Sequence, residues 1–142
     1  MQIKIATADD RNAVSTLLLA ADLLVDDLHP QLSNFFVATE NDRIVATGGL
    51  EIFEDNALLR SLVVSPEMRG QQLGKKLTDT LCQHAQTKQV QHLYLLTETA
   101  EEFFTAQGFK RTLRDTAPDT VKQTQQFSGL CPDSATFMVK RL

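Results

Sequence analysis

The chain of 142 residues has no tryptophan, one tyrosine, four prolines and only two cysteines. Cys82 and Cys131 lie far apart, which does not resemble the dense disulfide framework of a small secreted domain, so reduced thiols are expected. The three histidines, His29, His84 and His92, have no ligand spacing with one another or with a cysteine. The sequence therefore predicts a cytoplasmic protein without a metal site.

The sequence also lacks a basic surplus and a long apolar run. A net charge of −4 disfavours nucleic acid as a partner. No apolar stretch approaches the roughly 20 residues of a membrane span, and the first ten residues do not resemble a signal peptide. With 42% hydrophobic and 23% charged residues, the composition is typical of a soluble protein, and the length favours a single domain over residues 1–142.

A short apolar segment is followed by a turn and then by a helical pattern. Residues 58–64 end in valines and are closed by Ser65-Pro66, as expected of a buried strand. After the turn, apolar residues recur every four positions and predict a helix. Its buried face is expected to carry Leu73, Leu77, Leu81 and Ala85.

The turn between this strand and helix has the features of an anion site. The first amides of a helix have no carbonyl partner, and the helix dipole adds positive charge there. Gly70 and Gly74 allow a ligand to approach the backbone, and Arg69 supplies a charged donor. The spacing fits neither a P-loop nor the dinucleotide fingerprint, so it predicts a phosphate without naming the ligand.

The rest of the chain alternates between strand and helix patterns. The predicted elements are a strand at 3–5, a helix after 7–10, a short helix within 22–33, a hairpin of 35–38 and 44–53, a strand at 92–97, a helix at 99–107, a strand from 108–111, a helix at 119–127 and a strand at 135–139.

The turn resembles motif A of the GNAT superfamily of acetyl-CoA-dependent N-acetyltransferases, written Gln/Arg-x-x-Gly-x-Gly/Ala. The motif follows a strand that ends in Leu-x-Val-x-Pro, which here is residues 62–66. Arg69 and Gly74 occupy the first and last motif positions, and Gln72 replaces the middle glycine. We expect the backbone of Gln72 to fit a helical first turn, with its N–H still directed at a pyrophosphate.

Residues 97–109 resemble motif B of the same superfamily, Asn-x-x-Ala-x-x-x-Tyr-x-x-x-Gly-Phe. Ala100, Gly108 and Phe109 agree with it, whereas Thr97 and Phe104 replace the asparagine and the tyrosine. The resemblance covers the whole element order. It implies one GNAT domain of mixed α/β class, with a largely antiparallel twisted sheet of six to seven strands and helices on both faces.

Segments 58–62, 95–104 and 127–135 further resemble the group named arsenic-resistance N-acetyltransferases. The resemblance implies transfer of an acetyl group from acetyl-CoA to the amine of a small molecule, either amino-acid-like or arsenical. The alternative is a degenerate GNAT domain that binds acyl-CoA as a sensor or partner module, and acetylation of a protein is a third possibility. A homodimer is also possible, since the last strand is often exchanged in this superfamily.

The resemblance assigns the cofactor site to the first motif. The backbone of Leu62, Val63 and Val64 would pair with the pantetheine arm, and an amide there would polarise the thioester carbonyl. The residues expected to hold the pyrophosphate are Arg69, Gly70, Gln71, Gln72, Leu73, Gly74 and Lys75.

The motif B tyrosine usually protonates the leaving thiolate, and Phe104 cannot do so. Tyr94 is the candidate donor, although packing at a core edge is the commoner use of a tyrosine. A thiolate with a pKa near about 8.5 can also leave with water as the donor. Glu51 is the candidate base that would deprotonate the amine, with a solvated acid at a strand end as the alternative.

Arg60 is unusual because a charge interrupts an apolar strand. On strict alternation it shares a face with Leu58, Leu62 and Val64. A buried arginine needs an anionic partner, which is either Glu51 in an internal ion pair or the carboxylate of the acceptor. Substrate-binding roles are accordingly predicted for Arg60, Thr97 and Thr99.

Overall fold

The computed structural model describes residues 1–23, 25–130 and 134–142. These residues contain seven strands: β1 (Gln2–Ile5), β2 (Phe35–Glu40), β3 (Arg43–Phe53), β4 (Asn56–Val64), β5 (His92–Thr97), β6 (Lys110–Arg111) and β7 (Thr136–Arg141). They also contain four α-helices: α1 (Arg11–Ala20), α2 (Leu73–Thr87), α3 (Glu101–Ala106) and α4 (Asp119–Lys122). None of these helices is long and apolar enough to cross a membrane.

The contacts divide the chain into two compact units. The first comprises Met1–Leu50 and Ser61–Leu81, and the second comprises Glu51–Arg60 and Cys82–Leu142. Strands β3 and β4 and helix α2 each continue from one unit into the other. The single domain predicted for residues 1–142 stays a prediction.

In the first unit, the strand order is β1-β2-β3-β4. The β2–β3 hairpin closes on Asn41 and Asp42, which both have positive φ (51° and 62°), as a two-residue hairpin turn requires. One buried cluster joins α1 to the sheet through Val14, Leu18, Val37 and Val63. A second cluster joins Ala46 to Leu73 and Leu77 of α2.

In the second unit, the strand order is β3-β4-β5-β7-β6. β4 and β5 are parallel, whereas β7 pairs antiparallel with both β5 and β6. A buried cluster of Leu58, Ala117, Val121 and Phe137 connects the sheet to the excursion between β6 and β7. The mixed, mostly antiparallel seven-stranded sheet confirms the predicted fold class.

Two helix predictions need correction. The short helix predicted within residues 22–33 is wrong, because the described residues of that segment form only turns. Asp22 and Leu32 there have positive φ (61° and 51°), which a right-handed helix excludes. The helix predicted at 119–127 ends at Lys122 and is followed by a π-helical turn at Gln126–Leu130.

Candidate active site

The predicted phosphate loop precedes a well-anchored helix. Leu73, Leu77 and Leu81 of α2 are at most 2% exposed, which confirms the predicted apolar face. The Thr78 hydroxyl donates to the Gly74 carbonyl oxygen at 2.8 Å within the first turns. The first turn of this 15-residue helix therefore keeps its position relative to the core beneath it.

The backbone before α2 is left-handed at two positions. Gly70 has φ +85°, and no atom lies within 4 Å of a Cβ placed on it, so the loop is open there. Gln72 has φ +59° and is exposed. The helical first turn predicted for Gln72 is therefore wrong: this residue has a conformation that costs little only for glycine. Gln72 thus stands where the motif has its middle glycine, and it keeps the left-handed conformation that a glycine adopts easily.

The charges of the loop are partly paired. Lys75 Nζ lies 2.9 Å from a carboxylate oxygen of Asp79, one helical turn later. Glu67, in the turn before the loop, lies 3.1 Å from Arg43. The pKa of Glu67 is lowered first by a hydrogen bond from Ser65, then by its own backbone amide and by Arg43. The positive charge predicted from Arg69 and Lys75 is therefore partly offset by neighbouring acidic side chains.

β4 contains a residue that interrupts its alternation. Ser61 has φ +60°, a left-handed conformation inside a strand, as occurs at bulges. The period-two pattern cannot be extended across it, so the face shared by Arg60 with Leu62 and Val64 was predicted on a wrong premise. Leu62 and Val64 pack against the cluster that contains α2, whereas Val63 belongs to the cluster that contains α1.

β4 and β5 pair over only a short distance. The parallel register runs from Asn56↔His92 to Leu58↔Tyr94. Both strands continue beyond it, β4 through Arg60 and β5 to Thr97. Within the described residues, the register between these two strands does not extend past Leu58↔Tyr94.

Arg60 is a buried cation next to a less buried acid. Its side chain is 2% exposed, and Nη1 lies 3.8 Å from Oε1 of Glu51, whose side chain is 31% exposed. The ion pair weighed from the sequence is thus present. At this distance it is an electrostatic contact rather than a hydrogen bond. The roles of Arg60 in substrate binding and of Glu51 as a base stay predictions.

Tyr94 is part of an aromatic stack. Its ring is nearly parallel to that of Phe137, with centroids 5.4 Å apart, and it packs on the cluster that contains Leu58. Burial, and secondarily the charge of Asp55, raises the pKa of the Tyr94 hydroxyl. Its role as a proton donor stays a prediction, and the stacking favours the packing alternative.

The end of β5 and the start of α3 are connected by a side-chain hydrogen bond. The Ala100 N–H donates to Thr97 Oγ1 at 3.0 Å, so Thr97 satisfies an amide at the helix start. Thr99 is exposed. Phe104, at the motif B tyrosine position, is 6% exposed and packs edge-on against Phe103 and Phe109. Cys82 is buried, and Cys131 lies outside the described residues.

Sequence reasoning missed one feature in each unit. In the first unit it is the left-handed Ser61, which only an unexpected polar residue in an apolar strand could have signalled. In the second unit it is a cavity whose lining includes Arg111 and Arg114. Neither arginine belongs to a motif, so no signal in the sequence set them apart. Within the described residues, no cluster of three potential metal ligands occurs.

Comparison with known proteins gives a family match. The acetyltransferase (GNAT) domain family matches residues 31–111. An amino-acid acetyltransferase of Mycobacterium tuberculosis is 34% identical over 98 residues, which cover 66% of this chain and 54% of that protein. The chain thus spans about half the length of the curated relative it matches.

Solved structures share the fold. N-acetylglutamate synthase from Neisseria gonorrhoeae, complexed with coenzyme A and N-acetyl-glutamate, superposes with a TM-score of 0.85 at 20% identity, covering 99% of this chain and 35% of that one. A Mycobacterium tuberculosis protein in complex with CoA has the same TM-score at 23% identity, covering 100% and 99% of the two chains. At these identities, the similarity establishes the fold alone.

Proposed function

The chain belongs to the GNAT acetyltransferase family, and on that premise we propose that it transfers an acetyl group from acetyl-CoA to the amine of a small amino-acid-like molecule. The observation that carries this proposal is the loop before α2, where Gly70 and Gln72 are both left-handed and lead into a long, anchored helix. An arsenical amino-acid analogue as acceptor stays a prediction, as do the homodimer and the cytoplasmic location.

The cofactor would be bound mainly by backbone groups. The amides at the start of α2 point along the helix axis and favour an anion, and the open side of Gly70 lets a pyrophosphate approach. The part of β4 that follows its register with β5 would pair with the amides of the pantetheine arm, as an added strand does. An amide donor on the strand would stabilise the oxyanion formed at the thioester carbon. Arg69 and Lys75 supply charge near the phosphates.

The acceptor would be recognised by Arg60. A guanidinium offers paired N–H donors that match a carboxylate, and burial strengthens the attraction. Glu51, close to Arg60, would either accept the proton of the amine or only hold the arginine in place. Binding both reactants in one orientation would supply most of the rate gain, because acyl transfer to a neutral amine is limited largely by positioning.

The test compares two substrates in two variants. Each α-amino acid is assayed beside the amine that lacks its carboxylate, with thiol release from acetyl-CoA as the readout. Arg60→Met should lower kcat/KM for the amino acid by about 100-fold, as expected for loss of a buried charged contact. The kcat/KM for the amine that lacks the carboxylate should not change. The Kd for CoA, from isothermal titration, should stay within about twofold.

Arg43→Met is the matched control, because Arg43 is an exposed arginine at the start of β3. It should reproduce the wild-type preference for the amino acid. The acceptor assignment would be contradicted if the wild type had equal kcat/KM for the amino acid and the amine. It would also be contradicted if Arg60→Met kept the wild-type preference for the amino acid. Absence of CoA binding at high micromolar concentration would contradict the acetyltransferase proposal as a whole.

A second candidate function is a CoA-binding module without turnover. It is favoured by Phe104, which provides a buried ring where the family motif has a phenolic proton donor. Tight CoA binding combined with no thiol release across a broad amine panel would support it. Phe104→Tyr supplies the missing hydroxyl. If turnover appears in that variant alone, the absence of a proton donor at this position explains why the wild type does not turn over.

A further inference from the structure

A cavity of about 550 Å³ lies in the second unit, between the end of β6 and the start of β7. Its lining comes from two segments, residues 111–115 and residues 134–137. The segments are joined where the Thr112 N–H donates to the Phe137 carbonyl oxygen at 3.0 Å. Small-molecule sites commonly measure about 300–1,000 Å³, so the cavity has room for more than a single ion.

Two arginines of this lining are held in place by other groups of the same unit. Arg114 Nη2 donates to the Ala135 carbonyl oxygen at 2.7 Å, and its guanidinium carbon lies 5.5 Å from the centre of the Phe127 ring. Arg111 donates through Nε and Nη2 to the carboxylate of Glu101 in α3. A guanidinium has five N–H donors, so it can keep such contacts while it donates to a ligand. Because both side chains are already oriented, less conformational entropy is lost when a ligand binds.

The donors of the lining favour a phosphate group over a carboxylate. A carboxylate is planar and is matched by a single guanidinium fork. A phosphate monoester is tetrahedral, has a charge of about −1.5 to −2 at neutral pH and has three strong acceptor oxygens. The lining provides two guanidinium and three hydroxyl groups, and they come from both segments: Arg111, Thr112, Arg114, Ser134 and Thr136. Donors that come from two segments suit the tetrahedral group better than the planar one.

The charges around the cavity also favour an anion. Asp115 is the only acid among the described residues of the lining, which include two arginines. Lys122 Nζ donates to the Asp115 carbonyl oxygen at 3.2 Å, which brings a third cation close. Glu101 offsets part of the Arg111 charge, but that pair is exposed, and solvent screens it. This basic group occurs in a chain whose net charge is −4.

The cavity has an apolar surface beside these donors. Leu113 belongs to the lining and is 71% exposed, whereas Ala135 and Phe137 of the same lining are buried. A single exposed leucine is common on protein surfaces. Next to a group of anion donors, it offers apolar area that the organic part of a ligand would cover, and this burial would add to the affinity.

We propose that this cavity binds a small organic phosphate monoester, with the phosphate held by Arg111 and Arg114 and the organic part against Leu113. The site stands on residues of the second unit alone and does not rest on the proposed function. It is a second anion site, in addition to the candidate phosphate loop before α2. The experiment therefore has to distinguish the two sites.

Calorimetric titration of the full chain with phenyl phosphate, a monoester with an apolar ring, tests the cavity. We expect saturable binding with a Kd of about 0.1–1 mM, which Arg111→Gln and Arg114→Gln each weaken by about tenfold. Arg141→Gln is the matched control, because it makes the same change at an exposed arginine at the opposite end of β7. This control should keep the Kd within about twofold of the wild type.

Asp115→Asn should change the affinity in the opposite direction. Asp115 is an exposed acid of the lining, so its removal relieves repulsion and should tighten phenyl phosphate binding by about threefold. Asp119→Asn, at an exposed acid of α4 outside this lining, is the control and should leave the Kd unchanged. Local disturbance of the structure would not tighten binding, so an unchanged or weaker affinity in Asp115→Asn would contradict the location of the site.

Two other ligands define the chemical class. Inorganic phosphate lacks the organic part, and benzoate keeps the ring but has a carboxylate in place of the phosphate. Each should bind about tenfold more weakly than phenyl phosphate. Equal affinity for inorganic phosphate would overturn the role of the organic part, and equal affinity for benzoate would overturn the preference for phosphate.

Arg69→Gln distinguishes the cavity from the candidate phosphate loop and should leave the Kd for phenyl phosphate unchanged. Weakening by Arg69→Gln in place of Arg111→Gln would assign the phosphate to the loop and overturn the proposal. Absence of saturable binding, or equal weakening in Arg141→Gln, would also overturn it. If Arg114→Gln fails to fold, Arg111→Gln decides the question, because Arg111 is exposed and takes part in a surface ion pair.

Discussion

The two units of this chain provide their candidate functional groups by different means. In the first unit, the candidate phosphate loop depends on main-chain conformation, with left-handed residues at Gly70 and Gln72 before α2. In the second unit, charged side chains dominate: Arg60 beside Glu51, and Arg111 beside Glu101. A backbone site tolerates changes of side chain that keep φ, whereas a side-chain site depends on each charge and on its partner. Four substitutions test this difference.

Glu51→Gln should have the largest effect on stability. Removing the carboxylate leaves the Arg60 cation in a position where its side chain is only 2% exposed. Breaking a buried ion pair lowers the free energy of unfolding by about 3 kcal/mol or more. Because Glu51 is partly exposed, we expect a loss of about 2–3 kcal/mol. The free energy of unfolding in urea measures it. Glu54→Gln, the same change at an exposed turn residue nearby, should leave the free energy of unfolding unchanged. Equal losses in the two variants would show that the Arg60–Glu51 pair contributes no more to stability than an exposed carboxylate does.

Gly70→Ala tests the backbone side of the comparison. A Cβ at Gly70 meets no atom within 4 Å, so only the positive φ of 85° opposes it. We expect the free energy of unfolding to fall by about 1–2 kcal/mol, together with weaker CoA binding if the loop adjusts its conformation. Both are measured, by urea denaturation and by isothermal titration. Unchanged values would show that the loop does not need this conformation.

Gln72→Gly should have a smaller effect of opposite sign. Glycine adopts φ +59° without strain, so the variant should gain up to about 1 kcal/mol, reduced by the greater entropy of the unfolded chain. CoA binding should be kept or improved. A comparison with Gln71→Gly, at a neighbouring exposed residue outside the left-handed set, serves as control. Destabilisation by Gln72→Gly would mean that the glutamine side chain has a role of its own.

Glu101→Gln should have the smallest effect, although its hydrogen bonds to Arg111 are short. The pair is exposed, and solvent screens such interactions. The Arg111 hydrogen bond, the largest cause, lowers the pKa of Glu101 from 4.5. The stabilising contribution is therefore present above 4.5 and is lost as the pH falls through the lowered pKa. Urea midpoints of the wild type and variant should differ slightly at neutral pH and converge as the pH falls through the lowered pKa. A gap that widens in acid would contradict this assignment.

Most elements could be predicted because their patterns are local. The buried face of α2 follows from leucines spaced by four, and the β2–β3 hairpin follows from a polar turn between apolar runs. The segment at 22–33 was mispredicted because its apolar residues suggested a helix, whereas left-handed residues such as Asp22 and Leu32 divide it into turns. The face assigned to Arg60 on β4 rested on strict alternation, and the left-handed Ser61 breaks that alternation.

The sequence by itself determined the glycine-containing turn after β4, the helix behind it and the family, since these depend on residues close together in the chain. The tertiary structure decided which charges meet. Arg60 faces Glu51 across a hairpin, and the cavity between β6 and β7 brings Arg111 and Arg114 close to residues 134–137. Such contacts depend on strand register and on one left-handed residue. Local pattern does not encode either, because pairing between distant segments is a property of the folded sheet.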